Sequence, residues 1–131
     1  MRMLYLDVVN GEVKTVDVEP KISVYYDMLN CDCIEMPERR VGIRSKKYFT
    51  IICDESGLLK DKPIPSAIDN YGNVMLVGNL LFCNVDYETG EETELSEEEA
   101  EYIKRFIQPM STINKRTGEI KTYFMLTQCE Y

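Results

Sequence analysis

Two short runs rich in Leu, Val and Tyr open the chain, at residues 3–9 and 13–18, with Asn10-Gly11 between them. Asn-Gly between such runs predicts a β-hairpin, since a type I′ turn needs positive φ at both central positions. Ile22, Tyr25, Tyr26 and Leu29 then recur at helical spacing behind Pro20, with Asn30 as a stop. Residues 33–36 read as a strand ended by Pro37, and 48–53 as a strongly β-forming run. Asp54 to Gly57 has turn chemistry, and residues 60–72, with Pro63 and Pro65, read as mostly irregular. Residues 74–85 are the most apolar stretch, divided by Gly78-Asn79 into two strand pieces.

Ser96 with Glu99 three residues later makes a capping box, so a helix starts there. Ala100, Ile103 and Ile107 form its apolar stripe, Phe106 lies beside it, Glu101 and Arg105 are spaced to pair, and Pro109 ends the run. Two further strands, around 112–113 and over 119–127, flank Asn114 to Gly118. In the second, Ile120, Thr122, Phe124 and Leu126 form a largely apolar face that predicts packing on the main sheet. Thr-Gly-Glu at 89–91 and 117–119 is shared turn chemistry, not an internal repeat. The order β-β-α-β-β-β-α-β-β predicts an α+β single domain over 1–131. Its sheet is largely antiparallel, both helices pack on one face, and 110–131 is a C-terminal β extension.

Composition narrows the chemistry. The 131 residues carry a net charge of −8, which opposes a general binder of nucleic acid or anionic membranes. There is no histidine, which closes the usual routes to acid-base, Ser-His and Cys-His catalysis and every His-containing zinc site. The five cysteines include no Cys-x-x-Cys pair, so they read as free thiols of a reducing cytoplasm. No signal peptide or membrane-length apolar stretch is visible. Neither a Walker pattern nor Gly-x-Ser-x-Gly is present. No catalytic residue, metal or cofactor is assigned.

Two charged segments stand out. Arg39, Arg40, Arg44, Lys46 and Lys47 form a basic island without an acid. It reads either as a solvated connection between strands or as a grip for an anion such as a nucleotide, or for an acidic partner. Residues 86–101 hold nine carboxylates and no Lys or Arg. Of these, Glu91, Glu92, Glu94, Glu97 and Glu98 are the candidates for an acidic face that docks on a basic protein; helix capping and solubility are the other reading. Tyr71, Tyr87 and Tyr131 are candidates for exposed interface tyrosines. Asp54 and Glu55 are adjacent, so on a strand they point to opposite faces; they read as turn residues.

Several patterns together resemble the domain of unknown function 3846 family. They are the β-run ending in Asp-Glu-x-Gly, the Leu-Lys and proline-containing loop, the Gly-broken apolar strand, the helix leading into Ile34-Glu35, and the acidic loop followed by Leu-Ser-Glu-Glu-Glu-Ala. The resemblance covers residues 3–108. It departs at Pro63 to Ile68, where the pattern has an asparagine after the loop proline. It implies a small protein of phages, plasmids or conjugative elements of Gram-positive bacteria, with no known activity. Three function classes follow. The first is a non-catalytic binding or regulatory module contacting a host or element protein, with counter-defence as one version. The second is a binder of a small anionic ligand. A carboxylate- or cysteine-dependent enzyme is the least supported.

Overall fold

The computed structural model describes residues 1–59 and 63–131. In chain order the strands are β1 (Arg2–Asp7), β2 (Glu12–Asp17), β3 (Ile34–Glu35), β4 (Glu38–Val41), β5 (Tyr48–Asp54), β6 (Pro65–Ile68), β7 (Val74–Val77), β8 (Leu80–Val85), β9 (Glu92–Thr93), β10 (Ile107–Ile113), β11 (Ile120–Leu126) and β12 (Cys129–Glu130). Helix α1 (Ile22–Leu29) follows β2, and α2 (Glu97–Lys104) follows β9. The main sheet runs β12-β4-β5-β8-β1-β2, with β3 beside β5 and β9 beside β8. A second sheet runs β10-β11-β6-β7. Among the described residues pairing is antiparallel except between β11 and β6. The α+β expectation holds.

The central strands are apolar on both faces. Met3, Ile52, Leu81 and Cys83 pack with Tyr25 and Leu29 of α1. Their neighbours Leu4, Ile51 and Phe82 pack with Ala100 and Ile103 of α2, and with Ala67, Leu76 and Leu126 of the second sheet. Successive strand residues face opposite ways, so the two helices lie on opposite faces, not on one. The reason is in β5 and β8: their buried runs leave no polar face for water, so each side needs a cover.

Local predictions fare unevenly. Gly78, at φ 77°, divides the 74–85 run as expected, and its two pieces enter different sheets. Asn30 ends α1 in the left-handed conformation, at φ 51°. Tyr25 and Leu29 are the buried positions of α1, with Val24 and Met28 partly covered, whereas Ile22 is exposed. The apolar stripe is therefore displaced from the one expected, onto Val24, Tyr25, Met28 and Leu29. The first turn is not type I′, since only Gly11 (φ 70°) has positive φ. It is a four-residue loop in which the Asp7 carboxylate accepts the Asn10 N–H at 2.9 Å. Within the stretch read as irregular, residues 60–62 lie outside the described residues, while β6 is a strand. Pro65 takes its first position, where a missing N–H is tolerated. Asp54 closes a turn by accepting the Ser56 N–H at 2.9 Å, and the Glu55 N–H extends the pairing with β3 by donating to the Cys33 carbonyl.

Helix α2 stops at Lys104, short of Pro109, which sits within β10. The Phe106 carbonyl instead accepts the Thr127 N–H and hydroxyl, at 2.7 and 2.8 Å, and these bonds turn the chain into the second sheet. In β11, Met125 and Leu126 are buried, while Ile120 and Phe124 of the predicted apolar face remain exposed. No helix among the described residues is long and apolar enough to cross a membrane.

Candidate functional site: a groove between the basic loop and helix α2

Beyond β4 the chain runs alongside α2 in the opposite direction. Gly42 fixes one end of this approach. Its φ is 93°, and a Cβ there would lie 2.8 Å from the Tyr102 hydroxyl and 3.1 Å from the Phe106 ring. Only glycine combines that conformation with that proximity. The Tyr102 hydroxyl donates to the Val41 carbonyl at 2.6 Å, next to it. Lys47 fixes the other end by an ion pair with Glu99. A third contact comes from the chain after β11: the Gly42 N–H donates to the Gln128 carbonyl at 2.9 Å, and the Ile43 N–H to Gln128 Oε1 at 3.1 Å. Gln128 reaches both from a left-handed backbone, at φ 53°.

Between loop and helix lies a groove of about 750 Å³. Phe49, Tyr102 and Phe106 supply its apolar side, and their rings follow one another at 6.2 and 5.2 Å. Ile43 stands half-exposed at its edge. Glu98, Tyr102 and Arg105 line it from α2 and the residue that caps it, at the spacing of one helical face.

Electrostatically the groove is uneven. Glu99 caps α2 by accepting the Ser96 N–H at 2.9 Å while its own N–H donates to Ser96 Oγ at 3.0 Å. It also accepts the Asn84 amide at 3.1 Å and pairs with Lys47. Burial acts to raise its carboxyl, but Lys47, the Ser96 N–H and Asn84 outweigh it and hold the group down at about 2. Lys47 and Glu99 therefore cancel. Arg44 and Arg105 make no ion pair with any described residue, and Glu101 pairs with Lys104 (3.0 Å), not with Arg105 as its spacing suggested. One helical turn separates Glu101 from either, and Lys104 takes the contact.

The basic island is thus divided. Arg39 and Arg40 belong to β4, not to a loop, and β12 pairs beside them. Arg39 lies 4.6 Å from the centroid of the Tyr131 ring, and Arg40 Nε donates to the Tyr131 carbonyl at 2.9 Å. Arg44 and Lys47 line the groove, while Lys46 borders a separate hollow of about 350 Å³ with Tyr48 and Tyr87. Of the acidic candidates, Glu94 accepts the Arg2 N–H at 3.0 Å and Glu97 lies 3.8 Å from the Arg2 guanidinium. Glu92 sits in β9. Glu91 lies in an exposed turn, and exposed Glu98 alone of the five lines the groove. Tyr71, Tyr87 and Tyr131 are all exposed.

Sequence reading missed Tyr102, Arg105, Phe106 and Gln128 as groove residues. The first three share one side of α2 and its exit, a signal visible in the spacing. Gln128 gave none. Elsewhere, the buried thiols of Cys53, Cys83 and Cys129 are pushed up to about 12, with burial the leading cause. No three His, Cys, Asp or Glu side chains gather as metal ligands among the described residues.

No curated protein and no solved structure matches the chain. The sequence profile of one family does match, the domain of unknown function DUF3846, over residues 1–108. That span contains the 42–47 loop and all of α2, leaving Gln128 outside it. The chain belongs to the DUF3846 family.

Proposed function

We propose that this protein is a non-catalytic binding module of a mobile element, and that its recognition surface is the groove between the 42–47 loop and α2. The observation that carries the reading is a concavity of about 750 Å³ whose apolar side is partly open and whose Arg44 and Arg105 make no ion pair with any described residue. That size lies within the range of small-molecule sites, about 300–1,000 Å³. The thiols of buried Cys53, Cys83 and Cys129 stay protonated and the chain has no histidine, so none of these offers a ready nucleophile or base. The reading therefore favours a small ligand, with a regulatory output on a host or element protein. A direct protein contact through the acidic segment is the second reading. It draws on exposed Glu91 and Glu98, but Glu94, Glu97 and Glu99 already have partners within the fold.

Fragment titration followed by amide NMR tests the first reading. Binding fragments should perturb the amides of residues 42–47, 98–106 and Gln128 as one cluster. Hits confined to the hollow of Lys46, Tyr48 and Tyr87, or to the acidic turn, would move recognition away from the groove.

A further inference from the structure

Resting on that reading, we infer that the groove takes a small acid with an aromatic or branched aliphatic body, its anionic group held by Arg44 and Arg105. The inference comes from how charge is laid out along α2. Lys47 and Glu99 neutralise each other at the helix start. Glu98 remains there, while Arg105 stands seven residues further along. At 1.5 Å per residue that is roughly 10 Å, which exceeds the screening length of about 8 Å at physiological ionic strength. An anionic group at the Arg105 end is thus shielded from Glu98. Arg44 lies on the opposite wall, in the loop between Gly42 at the Phe106 end and Lys47 at the Glu99 end.

The remainder of the groove suits the rest of such a molecule. Ile43, Tyr102 and Phe106 offer apolar surface beside the arginines. Guanidinium forks hold a carboxylate or phosphate through paired N–H donors. Arg44 and Arg105 against Glu98 leave an excess of one positive charge once Lys47 and Glu99 cancel. That balance favours a singly charged acid over a polyphosphate, whose added charge would find no further unpaired cation among the described wall residues. A nucleoside triphosphate is therefore a poorer fit than an aromatic carboxylate.

The test compares 2-naphthoate, 2-naphthamide and 2-naphthyl phosphate by NMR titration of the full chain. The carboxylate should bind at least about tenfold more tightly than the amide. Arg44→Gln and Arg105→Gln should each remove most of that preference while leaving the amide affinity within about twofold. Both arginines are exposed, so the variants should melt as the parent does; Arg105→Lys, which keeps charge but loses the fork, serves as a second variant should Arg105→Gln unfold. Equal binding of acid and amide in the groove would overturn the anion inference and leave the groove reading standing. Failure of all three probes to perturb any groove amide would count against both. An acidic peptide that binds tenfold better than naphthoate, with the same arginine dependence, would replace the small molecule by a protein segment.

Discussion

The acidic residues at the start of α2 stay together in the fold, whereas the basic segment is taken apart. Glu94, Glu97 and Glu99 all act within one turn of the start of α2, on Arg2, Ser96 and Lys47. Over a similar span of sequence, Arg39 and Arg40 fall on opposite faces of β4, Arg44 and Lys47 enter the groove, and Lys46 borders another hollow. The cause is periodicity. A helix brings residues three and four apart onto one side, while a strand sends neighbours to opposite faces. A run of like charge in sequence is therefore a surface only if the backbone beneath it gathers the side chains. Here Glu97, Glu98 and Glu99 sit where the helix dipole favours them, and of the basic run Arg44 and Lys47, which lie beyond the strand, line the groove.

That contrast can be broken most severely at Gly42. Valine there would need a left-handed backbone and would press its Cβ on Tyr102 and Phe106. We expect a loss of more than about 2 kcal/mol, read as a lower urea midpoint. An unchanged midpoint would show that the loop does not need its close approach to α2. Ser96→Ala, which removes the cap, should cost about 1 kcal/mol; a loss below a few tenths would mean that Glu99 and Lys47 hold the helix start without it.

Acid offers a finer probe of the same corner. The Glu99 carboxyl is lowered from 4.5 to about 2 in the folded protein, so the native state releases its proton more readily than the unfolded chain. Its contribution is complete above pH 4.5 and disappears as the pH falls through about 2. Glu99→Gln should flatten that part of the stability profile. A variant whose acid limb superimposes on the parent's would assign the limb to other carboxylates. The smallest effects should come from Arg44→Gln and Glu98→Gln, each within about 0.5 kcal/mol because both side chains are exposed and have no ion pair among the described residues. A larger loss at Arg44 would reveal a structural duty for a residue assigned here to ligand contact.

Particular residues show why some of this was legible in the sequence. Ser96 and Glu99 announce their helix because capping is local: donor and acceptor are three residues apart. Gly78 signals its break for the same reason. Strand β4 was hidden because Arg39 and Arg40 resemble a solvated connection, and its pairing with β12 depends on residues at the far end of the chain. The placement of the helices was misjudged at Ile51 and Ile52. Two adjacent buried residues on a strand already require two covered faces, and the continuous apolar run carried that information. In the groove, Arg44, Lys47 and Glu98 were visible as charges, whereas Tyr102 and Phe106 resembled ordinary helix packing. Gln128 could not be anticipated, since its two hydrogen bonds exist only after distant segments meet.

The hairpin loops have a practical consequence. Asp86 to Glu91 and Asn114 to Glu119 follow the same path. In each, the first side chain accepts the N–H two residues on, at 2.8 and 2.9 Å, and the fifth residue is a glycine with φ near 74° and 73°. In each, the glycine N–H returns to the first carbonyl, and the first N–H to the carbonyl of the closing glutamate. Nothing lies within 4 Å of where a Cβ would stand at Gly90 or Gly118. These six-residue units share one internal hydrogen-bond pattern. We therefore expect either to be exchangeable for the other, and each to be a place to carry an epitope or a fluorophore, because its geometry is set by its own hydrogen bonds.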